Sequence, residues 1–461
     1  MSTAEPPAAT IAAIATPPGR GGIGIVRVSG ADLDGLIAGL AGAPLPPRKA
    51  TRVTLRDGAG EILDTGLALY FPAPSSYTGE AVLELQGHGS PAVLRLVLAR
   101  CVELGARLAE PGEFTRRAFL NGKIDLAQAE AVADLIEAST ATAARAAARS
   151  LTGEFSRAVH ALVDGLTELR MFTEATLDFP DEDVEFLRAA DASGRLAGLV
   201  AELQALRARA RTGVRLRDGL TVVLVGQPNV GKSSLLNRLV RDDAAIVTAI
   251  AGTTRDAIER PMELGGIPLT IVDTAGLRDT ADEVERHGIA RTWSAVARAD
   301  LVLLLVDARA GRDALDPADA ALLARLAADV PRLVVHNKAD LARVAPRIDR
   351  RADGSRSRPH LWMSALTGDG LDLLEREMRA LAGVESATED TFLARARHVE
   401  ALDAAALRLD AAAAQLAARE PPLELFAEEL REAQLALAAI TGEFTADDLL
   451  GVIFSRFCIG K

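Results

Sequence analysis

The stretch "GQPNVGKSS", residues 226–234, follows the apolar run "LTVVLV" and precedes a segment with helical texture. Gly226, Gly231, Lys232 and Ser233 fit the spacing G-x-x-x-x-G-K-[ST] in the strand-to-helix context that gives it meaning. Such a loop cradles phosphate. Its glycines let backbone N–H groups approach the oxygens, and the helix start adds its positive dipole end. The expected contacts are Asn229, Val230, Gly231, Lys232, Ser233 and Ser234, with Lys232 reaching the β and γ oxygens and Ser233 ligating Mg2+.

Around this loop, short apolar runs alternate with helical segments from about residue 219 to 383. The runs "LTVVLVG", "PLTIVDT", "LVLLLVD", "RLVVHN" and "HLWMSA" read as buried strands, which predicts a doubly wound α/β domain. "IVDTAG" ends one strand with Asp273, suited to hold the metal through water. Thr274, Ala275 and Gly276 follow, and the Gly276 N–H is placed to sense a γ-phosphate. Between cradle and metal strand, "TAIAGTT" supplies Thr248, Ala249, Ile250, Ala251, Gly252, Thr253 and Thr254 as a switch; Thr254 is expected to close on Mg2+. "HNKAD" places Asn337, Lys338, Ala339 and Asp340 at another strand end. The Asp340 carboxylate can accept the ring N–H and amino group of guanine, a donor pair that adenine lacks, so GTP is favoured over ATP. "MSAL" then offers Ser364, Ala365 and Leu366 to close over the base.

The flanks differ in texture. Residues 1–123 mix short strands with turn residues and predict an α+β domain. Residues 124–218 and 384–461 are helical, with Leu126, Ala129, Ala133 and Ile136 at helical spacing, which predicts an all-α domain interrupted by residues 219–383. At 461 residues and 49% hydrophobic composition the chain is globular, and no run approaches the roughly 18 apolar residues needed to span a bilayer. The start lacks a basic region before its apolar stretch, and two distant cysteines make no disulfide framework; a cytoplasmic protein is expected. The net charge of -12 argues against indiscriminate binding to DNA or other nucleic acid, although local basic patches remain open.

With this order, and with "TPPGRGGIGIVRVSG", "SYTGEAVLELQGHGS" and "PGEFTRRAFLNGKIDLAQAEAVADLI" before the cradle and "FCIGK" at the end, the chain resembles the MnmE (TrmE) family of bacterial tRNA-modification GTPases from about Thr10 to Lys461. The resemblance implies an N-terminal folate-binding, dimerising domain, a helical domain and an inserted P-loop GTPase domain. It implies GTP hydrolysis coupled to adding a carboxymethylaminomethyl or aminomethyl group to the wobble uridine of tRNA. A tetrahydrofolate derivative, in the 5,10-methylene or 5-formyl form, donates the carbon, and an MnmG (GidA) flavoprotein carries FAD and uses NADH. Residue by residue, Asn229, Thr248, Ile250 and Thr253 match the family's K+ ligands. Arg27, Glu84, Lys123 and Lys461 match its folate positions, although taken alone such residues read as surface or turn residues.

One departure concerns the attacking water. Leu277 follows the "DTAG" glycine where Ras-like proteins carry a water-orienting Gln. The nearby carboxylates Asp279, Asp282, Glu283 and Glu285 read alone as a solvated helix start, and the resemblance singles out Glu285 as the water-orienting group. Cys458 has no Cys or His at metal-ligand spacing, and "CIGK" does not fit a prenylation motif. The resemblance places it at a modification site separate from GTP, as a chemical or a packing residue. The competing reading is a GTP-gated regulator or ribosome-assembly factor without modification chemistry of its own.

Overall fold

The computed structural model describes residues 9–178, 191–242, 259–273, 299–310, 330–353, 356–381, 383, 391–419, 421–443, 453–454 and 460. The chain divides into two compact units. One joins Met1–Ala133, Leu151–Leu199 and Ala404–Lys461, and the other joins Asp134–Ser150 and Val200–Asp403.

The first unit is built on six strands: β1 (Ile11–Ile14), β2 (Gly21–Gly30), β3 (Thr51–Arg56), β4 (Ile62–Phe71), β5 (Ala81–Gly89) and β6 (Arg107–Leu108). They lie in the order β3-β4-β5-β2-β1-β6. Alternation along β2 and β5 sends Val26, Val28, Leu83 and Leu85 into a core with Leu36, Leu40, Val97 and Cys101. Arg27 and Glu84, opposite one another in the β2–β5 register, occupy the other face. Burial pushes the Cys101 thiol up to about 12, so this cysteine is an inert core residue. The helices Glu154–Asp178 and Leu423–Thr441 belong to the same unit and are joined by Arg170 Nη1 donating to Gln434 Oε1 at 2.7 Å.

The second unit carries seven strands: β7 (Leu220–Val225), β8 (Glu259–Leu264), β9 (Ile267–Asp273), β10 (Leu301–Asp307), β11 (Arg332–Asn337), β12 (Arg347–Asp353) and β13 (Arg356–Trp362). Their order is β12-β13-β11-β10-β7-β9-β8. The five strands expected from the sequence form the parallel centre, with β8 and β12 antiparallel at the edges. Val222, Leu224, Leu301, Leu303 and Leu305 face Leu235, Leu239, Leu374 and Met378 of the helices Lys232–Asp242 and Leu371–Leu381. Each fully buried leucine here contributes about 2 kcal/mol.

Ile136 departs from the expected apolar stripe: it is 45% exposed, whereas Leu126 and Ala129 are fully buried. Two positions earlier, Asp134 occupies the buried place. Its carboxylate accepts Arg217 Nε at 2.8 Å and Arg395 Nη2 at 2.7 Å, and the helix ends at Glu137. An ion cluster thus takes the last turn that spacing alone assigns to packing.

Candidate active site

The phosphate loop is fixed by two close approaches. Gly226 has φ +155°, and a Cβ there would strike the carbonyl oxygen of Leu305; Gly231 has φ +100°, and a Cβ there would strike Asn337 Nδ2. Only glycine meets both the backbone and the space requirement at 231. Asn229 also takes a left-handed conformation, φ 63°, a region that asparagine tolerates better than most residues.

Asn337, at the end of β11, joins this loop to the segments expected to recognise the base. Its Nδ2 donates to Val230 O at 2.8 Å, and its Oδ1 accepts the Ala365 N–H at 2.9 Å. Asn337 and Ser364 are both buried, so these bonds are shielded from water. Leu366, by contrast, is 77% exposed, an apolar side chain left open in the segment expected to close over the base. Ala339 N donates to Met363 O at 3.0 Å, which further ties the "NKAD" and "SAL" segments together. Asp340 lies on the short helix Ala339–Ala342 with a partly exposed side chain.

Lys232 begins the helix Lys232–Asp242, and its Nζ donates to Gly226 O at 2.5 Å and Gln227 O at 3.0 Å. The lysine is therefore held along the loop, with Ser233 and Ser234 exposed behind it at the helix start. Lys338 Nζ donates to Asn229 O at 2.5 Å and pairs with Asp307 Oδ2 at 2.9 Å. Arg309, and after it Lys338, hold the Asp307 carboxyl well below the usual carboxylate range. Sequence reading gave Asp307 no role beyond ending "LVLLLVD". Its signal was positional: β10 and β11 pair in parallel with Asp307 opposite Asn337, which brings Asp307 to Lys338.

Asp273 closes β9 opposite Leu224 of β7, two residues before Gly226. Thr248, Ala249, Ile250, Ala251, Gly252, Thr253, Thr254, Thr274, Ala275, Gly276 and Glu285 lie outside the described residues, as do Cys458 and Lys461.

A second cluster sits in the first unit. Arg27 Nη2 pairs with Glu84 Oε1 at 2.8 Å, so two of the four expected folate residues are each other's partners. The Arg27 guanidinium lies 5.7 Å from the Tyr77 ring centroid and 5.8 Å from that of Phe114. Its Nη1 donates to Gly460 O at 3.4 Å, which brings the chain's last turn to β2. Gly460 is buried, with φ +99°, and a Cβ there would lie 2.5 Å from Ile14 O. Lys123 is exposed and donates to Pro74 O at 3.1 Å.

A phosphate loop and a guanine-type loop, bonded together at one end of a parallel sheet, define a P-loop GTPase. The model described as "MnmE helical domain" matches residues 126–458, and "GTP-binding protein TrmE N-terminus" matches residues 10–123. The chain belongs to the MnmE family. It is 59% identical to the tRNA modification GTPase MnmE of Thiobacillus denitrificans, over 98% of both chains. It is 58% identical to the protein of that name from Ralstonia nicotianae, over 98% of this chain and 96% of the relative. It is also 58% identical to that of Azoarcus sp., over 100% of both. Among solved structures, a single-substitution variant of Era from Aquifex aeolicus bound to GDP.AlF4- covers 43% of this chain and 68% of its own at 22% identity, with a TM-score of 0.25.

Proposed function

We propose that the chain hydrolyses GTP to drive modification of the wobble uridine of certain tRNAs at C5, with a tetrahydrofolate derivative as carbon donor and an MnmG-type flavoprotein as partner. The observation that carries the GTPase reading is the double bonding of Asn337, to Val230 O of the phosphate loop and from Ala365 N of the base loop. Guanine seated on Asp340 is thereby registered against phosphates seated on residues 229–234. The tRNA reading rests on membership of the family.

The residues of the loop fit Mg2+. Ser233 presents an exposed hydroxyl oxygen at a helix start, the hard donor that this ion takes. When bound, Mg2+ would supply charge neutralisation to the phosphates. The chain's own groups do the rest. Lys232 offers its ammonium to the β and γ oxygens, loop N–H groups orient them, and Asp273 at the end of β9 holds the metal shell through water. Thr254 closes over the metal, and Glu285 orients the attacking water through intervening waters. Asn229, Thr248, Ile250 and Thr253 would hold K+, which would supply positive charge beside the phosphates.

In the N-terminal part, Arg27, Glu84, Lys123 and Lys461 bind the folate derivative. The Glu84 carboxylate suits the pterin donors, and the cations suit the glutamate tail. The contact of Arg27 with Gly460 O supports placing the "FCIGK" ending, and with it Cys458, at this second site. Residues 1–123 form the folate-binding and dimerising domain, 124–218 with 384–461 the helical domain, and 219–383 the G domain. A homodimer in the cytoplasm is the working form; among the described residues no helix is long and apolar enough to cross a membrane.

The test is turnover of GTP and ATP by the purified chain in KCl and in NaCl. Hydrolysis of GTP alone, faster in KCl, is expected. Equal use of ATP sinks the guanine assignment, and equal rates in the two salts sink the K+ assignment.

A further inference from the structure

In the second unit, one hydrogen bond joins the tip of a sheet hairpin to a helical segment, and the nucleotide site as described does not use it. Strands β8 and β9 pair with Leu264 opposite Ile267, which leaves Gly265 and Gly266 as the turn between them. Their φ values, +56° and +86°, are those of a type I′ turn, which glycine adopts without strain. From this turn β9 runs to Asp273, about 20 Å away at the rise of a strand. Its two ends thus lie at different places: one at the turn, the other opposite Leu224, which precedes the phosphate loop.

Thr140 holds the turn. Its buried hydroxyl donates to Gly266 O at 3.0 Å and accepts the Ala143 N–H at 3.0 Å, at the start of the helix Ala141–Leu151. The approach is close, since a Cβ on Gly266 would lie 2.3 Å from Thr142 Oγ1. The segment carrying Thr140 is itself fixed on either side. Before it, the Asp134 carboxylate accepts Arg217 and Arg395. After it, Arg149 Nη1 donates to Thr391 O and Ser150 Oγ to Leu393 O, each at 3.0 Å. Arg217 lies just before β7, and residues 391–395 follow the helix Leu371–Leu381. Segment 134–150 is therefore tied to the chain where it enters the GTPase sheet and where it leaves, and touches the hairpin between.

The start of β9 is held differently from the rest of the strand. Ile267, Leu269 and Ile271 are buried in the core beneath the sheet, and close packing of this kind transmits displacement along a strand rather than absorbing it. Pro268 instead lines a cavity of about 200 Å3 with Glu137, Ser139, Arg217, Asp218 and Leu393. Close packing does not fill the space between this part of the strand and the helical segment, so the link beside it is a directional bond, sensitive to small shifts in distance and angle. Capping the helix asks only for an acceptor on Thr140; the proton given to Gly266 O is a separate commitment.

We propose that Thr140 is a positioning residue that couples the nucleotide site to segment 134–150 through the β8–β9 turn. The inference rests on the nucleotide site above and adds a route out of it. Nucleotide seated at the Asp273 end fixes β9, the fixed strand holds Gly266 O against the Thr140 hydroxyl, and the start of the helix Ala141–Leu151 becomes more ordered. Coupling of this kind is reciprocal, so loosening Thr140 weakens nucleotide binding in turn.

The test is hydrogen–deuterium exchange of the full-length chain, free and saturated with a non-hydrolysable GTP analogue and Mg2+, for wild type, Thr140→Val, Thr140→Ser and Gly266→Ala. Bound analogue should slow exchange in residues 140–146 about threefold or more in wild type and in Thr140→Ser, which keeps the hydroxyl, as expected for one hydrogen bond. In Thr140→Val, and in Gly266→Ala from the other side of the contact, the difference should fall below about 1.5-fold, and analogue affinity should drop about threefold. No nucleotide-dependent difference in wild type overturns the proposal. So does a valine variant whose exchange rises while the difference stays intact, which makes Thr140 a helix cap and nothing more. Loss of the difference in Thr140→Ser as well overturns it too, because the methyl group and not the hydroxyl then makes the link. A wild-type chain that binds no GTP analogue removes the nucleotide reading itself, and the coupling with it.

Discussion

Asn337 donates its side-chain amide to the carbonyl oxygen of Val230 at 2.8 Å, so the segment proposed to recognise the base and the loop proposed to hold the phosphates form one hydrogen-bonded piece. Because Asn337 also accepts from Ala365, its removal takes a side-chain partner from two buried backbone groups. Each loss costs about 1 to 3 kcal/mol. Asn337→Ala should weaken GTP binding by on the order of a hundredfold, read by titration with a fluescent GTP analogue; an unchanged affinity would show that the linkage does not hold the site.

Gly231→Ala places a methyl group against Asn337 Nδ2 in a backbone conformation that alanine resists. Nucleotide affinity should fall more than in Asn337→Ala, while far-ultraviolet circular dichroism stays that of the wild type. Retained affinity in this variant contradicts the loop geometry.

Much of this site was legible because it consists of short motifs with fixed spacing at the ends of apolar strands. The strands ending at Val225, Asp273, Asp307 and Asn337 are apolar for most of their length, since both faces of a parallel centre are covered. The edge strands were not legible for the converse reason. "ERPMEL" and "RIDRRAD" are charged, and one contains proline, as edges tolerate. Alanine-rich helices gave a second difficulty: Ala146 and Ala147 are buried against Leu216 and Val222 in the core beneath the GTPase sheet, but nothing in "ATAARAAARSL" says which core it joins. Asp307 and Gly460 escaped notice because their roles depend on partners distant in sequence, Lys338 and Arg27.

Glu113 supplies a pH test in the first unit. Burial raises its carboxyl, but bonds from Arg107, the Glu110 N–H and Arg117 outweigh this and bring it to about 2, against an ordinary value of 4.5. A carboxyl depressed on folding contributes stability that is complete above its unfolded value and is lost as pH falls toward its folded one. The contribution, up to about 3 kcal/mol, should therefore disappear between pH 4.5 and 2. Urea unfolding followed across this window should show the loss in wild type and a flatter profile in Glu113→Gln; identical profiles contradict the assignment.

Two variants should separate the proposed activities. Glu285→Ala is expected to keep GTP affinity and lose most hydrolysis, measured as phosphate release. Arg27→Ala, which removes the partner of Glu84 and of Gly460 O, is expected to lose binding of a tetrahydrofolate derivative while GTP turnover stays within about twofold of wild type. Loss of turnover in Arg27→Ala, or full turnover in Glu285→Ala, would contradict the division into two sites.

The most direct measurement is mass spectrometry of nucleosides from the tRNA of cells lacking this chain, and of the same cells supplied with wild type or with Gly231→Ala. The account predicts wobble uridines without the carboxymethylaminomethyl or aminomethyl group in the deletion, restored by wild type and not by the cradle variant. Wobble uridines that stay fully modified in the deletion would contradict it.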